Sequence, residues 1–210
     1  MSILALTSNT LSSPAAAGQI EYSNPIFTAT PIGTQRGIVP TQQYYRLDSA
    51  LAGSNVSTAQ SVFGVGVTLS ASTVYEFEMV IPLSKSAGAT SHTVALGFGG
   101  TATINNILYT AYENVSSTSF INIGITTANV TIAVVTTASS TVLTPAVASA
   151  TLFLSFIIKG TVSVNAGGTF IPQYTLSAAP GGAYSTVAGS YIRINPLSAS
   201  GAATNVGTWA

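Results

Sequence analysis

An all-β fold is what this sequence predicts: an antiparallel β-sandwich of the jelly-roll kind, with roughly eight to ten strands. Three observations carry that expectation. Short runs rich in Val, Ile, Thr and Tyr recur between punctuating Gly, Pro and Asn residues. From Thr73 to Ile81 the chain alternates, with Tyr75, Phe77, Met79 and Ile81 on one face and Glu76 and Glu78 on the other. The length of 210 residues suits one all-β domain that buries a real core.

Composition narrows the function classes. Cys is absent, so disulfides, zinc–thiolate sites and cysteine nucleophiles are excluded. Five Lys and Arg against five Asp and Glu make only 5% of the chain charged, where a typical soluble domain has roughly 25%. Hydroxyls supply the polar faces instead, Ser and Thr filling roughly a quarter of all positions. A neutral chain with scattered bases lacks the footprint of a nucleic-acid binder. Low charge beside 47% hydrophobic residues predicts a surface covered by copies of the chain or by a larger assembly. Residues 1–11 have neither the basic start nor the long apolar run of a signal peptide. The window from Ala146 to Ile158 is too short and too interrupted for a spanning helix, so membrane insertion is not expected.

In chain order, residues 1–42 differ from the rest. Pro14, Pro25, Pro31 and Pro40 recur there, and proline at that density opposes regular ladders. The segment is expected to be an extended docking arm, with Ile3, Leu4, Leu6, Ile20, Tyr22, Ile26 and Phe27 as its anchoring side chains. The sandwich domain is expected over residues 43–210. Tyr44–Leu47 reads as a strand and Asp48–Gln60 as a loop or helical turn. In Phe63–Leu69, Gly64 and Gly66 share a face and suggest close approach by another backbone or ring. Strands follow over Thr73–Ile81, His92–Phe98, Thr101–Tyr112, Ser119–Ile125, Asn129–Val135 and Thr141–Leu143. Leu152–Ile158 is apolar on both faces, so it is either central and covered or lies at a subunit interface. From Phe156 to Leu197 the pattern predicts a three-stranded meander with turns at Asn165–Gly168 and Pro180–Gly182. Beside the double-faced strand, that meander is the expected subunit interface, with Phe153, Phe156, Ile158, Tyr174 and Tyr191 as its contacts.

Little of the chain points to catalysis. Glu76 and Glu78 are the close carboxylate pair, about 7 Å apart on one strand face, a spacing a glycosidase could use. Charge on the polar face of a regular strand is more simply a solvating choice. His92 has no second His and no Cys to build a typical zinc site and reads as a surface or interface residue. Gly64–Gly66 and Gly97–Gly100 lack the Gly-Lys-Ser/Thr of a phosphate loop. Asn55, Asn114 and Asn129 begin glycosylation-type triplets that a chain rich in Asn, Ser and Thr produces by chance. Tyr109, Tyr112 and Tyr184 could stack on sugars or a partner, with packing as the default role. No cofactor or metal is expected.

Specific strings carry a resemblance. LTSNTLSSPAAAGQIEY (6–22), the run from Gly33 to Pro40, QSVFGVGVTLSASTVYEFE (60–78) and GTVSVNAGGTFIPQYTLSAAPGG (160–182) resemble bacteriophage (cyanophage-type) tail-fibre-like and other virion structural proteins. The domain also resembles the trimeric jelly rolls of the C1q/tumour-necrosis-factor type. What the resemblance implies is a homotrimer at the virion surface, with other virion proteins as partners. Ser23-Asn24-Pro25 replaces the Asp-Gly turn often found after the first motif, which favours an extended arm over a tight hairpin. With no fibre shaft ahead of that motif, a capsid decoration (cement) protein is expected before a tail- or head-fibre knob that binds host-surface glycans.

Overall fold

The computed structural model describes residues 5–12, 14–116, 130–201, 203 and 206–209. The expected strand at Ser119–Ile125, Asn129 of the third glycosylation-type triplet and the arm residues Ile3 and Leu4 lie outside them. Every named element among the described residues is a strand, and every strand pairing is antiparallel.

The N-terminal region departs from expectation. Gln19–Ser23 (β1), Ile26–Thr30 (β2) and Gly37–Val39 (β3) form a three-stranded sheet in the order β1-β2-β3. A tight turn at Asn24-Pro25, joined by a cis peptide bond, sets Ser23 opposite Ile26 and Tyr22 opposite Phe27. The prolines fall between strands or in turns, so the ladders survive them. Glu21 and Arg36 pair at 2.8 Å and close the sheet over Ser12, whose backbone N–H donates to Glu21.

The body holds two larger sheets. Gln43–Arg46 (β4), Leu51–Ala52 (β5), Thr73–Lys85 (β8), Thr103–Ser116 (β10), Val130–Val135 (β11), Leu152–Ala166 (β13), Ser185–Thr186 (β15) and Tyr191–Ala199 (β16) make the eight-stranded one. Its path runs β11-β10-β13-β8, and β8 then pairs with β16 along its first half and with β15 near its end. Gln60–Ser61 (β6), Val67–Leu69 (β7), Val94–Gly99 (β9), Thr141–Val142 (β12) and Gly168–Leu176 (β14) make the five-stranded one. Four of these strands are only two residues long, so the segments exceed the number the sequence suggested.

Both sheets share one core. Phe77 of β8 meets Phe98 of β9 at 5.5 Å and Phe170 of β14 at 5.9 Å between ring centroids, while Phe98 and Phe170 stack at 4.5 Å. Period-two alternation places Tyr75, Phe77, Met79, Ile81 and Leu83 inward along β8, all buried. A buried Phe or Ile of this kind contributes roughly 1.5–3 kcal/mol.

The predicted meander is not one. β13 belongs to the eight-stranded sheet and β14 to the five-stranded sheet, where it pairs with β9, β6 and β7. β16 returns to β8. The Gly167–Gly168 corner therefore carries the chain from one sheet to the other. At Gly66 the expected close approach is real: a side chain there would press on Ile171 and the Phe170 carbonyl.

Candidate interaction surface

The outer face of the eight-stranded sheet follows from register. Directly opposed residues of an antiparallel pair lie on one face, so each cross-strand row can be followed across several strands. One row runs Ile132–Tyr112–Ile157–Val80–Tyr191–Arg46. The next runs Val134–Thr110–Lys159–Glu78–Arg193–Tyr44. A third runs Leu108–Thr161–Glu76–Asn195.

Two zones result. At the β11 end the face is apolar, with Ile132 63% and Val134 69% exposed beside exposed Tyr112, Leu108 and Ile157. At the β16 end the second row is an ion cluster around Glu78. Lys159 Nζ and Arg193 Nη2 approach its Oε2 at 2.9 and 2.8 Å, and the Tyr191 hydroxyl donates to its Oε1 at 2.8 Å. The Lys159 ammonium foremost, with Tyr191 and Arg193, holds the Glu78 carboxyl down at about 2 against the opposing effect of burial. The ionised Glu78 is thus engaged by two cations and a phenol, the arrangement of a structural ion cluster on a strand face. Around the cluster, Pro40, Gln42, Glu76, Glu78, Lys159, Arg193 and Asn195 line a groove of about 290 Å³.

The expected subunit contacts are placed differently from one another. Phe156, Ile158 and Tyr174 are buried in the chain's own core, at 1%, 0% and 1% exposure. Their inward alternation leaves them no surface to offer a partner, so these three contact assignments are corrected. Phe153 is half-buried on β13, and Tyr191 is half-buried on the outer face, held by Glu78. The exposed large side chains of the same face are Ile157 on β13 and Tyr112 opposite it on β10, whose parity was legible but whose strand neighbours were not.

The arm residues divide in the same way. Ile20, Tyr22, Phe27 and Val39 share the outward face of the small sheet, where Ile20 is 66% exposed and the Tyr22 and Phe27 rings stack at 4.5 Å. Ile26 lies on the opposite face and is buried with Thr28 and Thr30, where β2 lies against β16. Leu6 is exposed.

His92 is not at the surface. It is buried, its Nδ1 donates to the Thr90 carbonyl at 2.7 Å, and its Nε2 accepts from the Tyr184 hydroxyl at 2.7 Å. That tautomer is assigned from the network, because a carbonyl can only accept. Beside it, buried Lys85 reaches into a ring of carbonyls. Its ammonium donates to Ala87 and Gly88 at 3.2 and 2.5 Å and to Ser149, with Ala150 at 3.4 Å. Burial pushes its pKa down and that of Tyr184 up. The cluster pins three loops together at one end of the core. Tyr109 and Tyr184 are likewise interior, leaving Tyr112 as the exposed member of that trio.

A third feature is an apolar cleft of about 300 Å³ between the sheets at their open edge, with Tyr45 edge-on to Phe63 at 6.0 Å. Among the described residues no group of three His, Asp or Glu side chains is placed to hold a metal, and no helix is long and apolar enough to cross a membrane. No protein-family model matches this chain, and no curated protein matches it.

Proposed function

We propose that this chain is a bacteriophage virion structural protein, a capsid decoration (cement) protein without catalytic activity. Its jelly-roll-like body forms a homotrimeric knob, and its N-terminal sheet docks on other virion proteins. The observation that supports the reading best is a pair of exposed apolar faces on a chain with only 5% charged residues. One is the outward face of the N-terminal sheet, Ile20, Tyr22, Phe27 and Val39. The other is the Ile132–Tyr112–Ile157 end of the large sheet. Contiguous apolar faces of this kind are uncommon on monomers and mark association surfaces. Two separate faces suit a protein that joins copies of itself and also joins something else.

The docking half is tested with Ile20→Asp combined with Val39→Asp, both at exposed positions. The double variant keeps the fold and the oligomer but no longer co-sediments with virus particles assembled without the protein. Undiminished attachment would refute docking through this face.

A second reading is favoured by the polar groove around Glu78 and by exposed Tyr44, which lies opposite Arg193 in register. In that reading the knob belongs to a tail or head fibre and recognises glycans on the host surface. Purified protein would then bind intact host cells and block adsorption, which a decoration protein does neither of.

A further inference from the structure

We infer that the groove on the outer face, lined by Gln42, Glu76, Glu78, Lys159, Arg193 and Asn195, is a binding site for an uncharged saccharide. The inference deepens the second reading above and rests on it.

The argument starts from which polar groups are already used. Both oxygens of Glu78 are already engaged, Oε1 by Tyr191 and Oε2 by Lys159 and Arg193. This fixes the cluster as a rigid wall and neutralises its cations. The side chains of Gln42, Glu76 and Asn195 make none of the hydrogen bonds or ion pairs found among the described residues, Glu76 acting on Arg193 only through its charge, and all three line the same groove. Their placement is set by register, since Asn195 lies opposite Glu76 and Glu76 opposite Thr161.

Each of the three ends in a planar amide or carboxylate with two hydrogen-bonding atoms. A pyranose presents adjacent hydroxyls that both donate and accept, and such planar groups satisfy them in pairs. Charge points the same way. Two carboxylates and two cations cancel across the groove, so a phosphate or polyanion gains nothing, and exposed Glu76 repels it. The Tyr44 ring does not line the groove itself but follows Arg193 in the same cross-strand row, 56% exposed and 5.8 Å from Tyr191, and offers an aromatic face at the groove's edge for the apolar side of a sugar. A groove of about 290 Å³ is at the small end for ligand sites, which suits one or two sugar rings and weak, millimolar binding.

The test uses the full chain, ¹⁵N-labelled, titrated with the methyl glycosides of glucose, galactose, mannose and N-acetylglucosamine. At least one should shift backbone amides at residues 76–78, 159–161 and 193–195. Glu76→Ala and Asn195→Ala should each weaken that binding about tenfold or more, the loss expected for a hydrogen bond to a ligand in a preformed site. Glu76 is exposed, so its variant folds even where a strand substitution at Asn195 does not. The proposal is overturned if none of the four glycosides shifts these amides, or if both folded variants bind as well as the native chain. Host-cell binding that persists in both variants would also overturn this site while leaving the glycan-binding knob standing on another surface.

Discussion

Lys85 shows how far a single residue can depart from its local context. It is the last residue of β8, a strand end where a lysine is ordinarily solvated, yet it is 4% exposed and surrounded by carbonyls. Lys85→Met removes the donor and leaves those carbonyls buried without it, costing about 2–3 kcal/mol. For a domain of this size that lowers the melting temperature by roughly 5–10 °C in a thermal scan. His92 reads from sequence as a surface or interface residue for the same reason: its partner Tyr184 is 92 positions away, and local sequence carries no trace of it. Glu78 gives a pH prediction with a definite sign. Its folded value of about 2 lies below the ordinary 4.5, so its ion cluster stabilises fully above 4.5 and is lost as pH falls towards 2. In Glu78→Gln the fall in urea midpoint between pH 5 and pH 2 should be shallower than in the native protein, the residual slope including Glu21, whose carboxyl Ser12 also holds low. An unchanged slope would remove Glu78 from the acid response.

At the scale of elements, the strands were largely legible and their partners were not. Alternation along Tyr75, Phe77, Met79 and Ile81 identified β8 and its buried face, because period two follows from backbone geometry alone. The same rule explains β13, whose two apolar faces turned out to be one core face and one exposed face. What alternation cannot supply is the order of strands, and so the stretch from Phe156 to Leu197 looked like neighbours when β13 and β14 lie in different sheets. Proline density misled in the opposite direction, since prolines between strands do not interrupt ladders within them. Glycine carries one element-level prediction. Gly160 of β13 lies opposite Tyr109, and a Cβ there would sit 2.2 Å from the Leu108 carbonyl oxygen and 2.5 Å from Tyr109 Cβ. Gly160→Val should therefore separate β13 from β10, cost about 3 kcal/mol in denaturant unfolding, and increase hydrogen exchange along that ladder. Stability within 1 kcal/mol of native would show that the strands yield easily.

For the whole molecule, composition carried the broadest message. A chain with 5% charge and a large apolar content can keep a core and still have apolar surface left over. The structure places that surplus on two faces, the outward side of the N-terminal sheet and the β11 end of the large sheet. The candidate contacts drawn from sequence mixed core and surface, because Phe156, Ile158 and Tyr174 are as apolar as Tyr112, Ile132 and Ile157. Only the packing of the second sheet distinguishes them. The central claim is that the apolar end of the large sheet joins copies of the chain. Light scattering of the purified 210-residue chain at tens of micromolar tests it most directly. The account predicts a mass three times the 21.2 kDa of one chain, falling to the single-chain mass in Tyr112→Asp combined with Ile132→Asp with the strand spectrum intact. A native protein that scatters as one chain would contradict it.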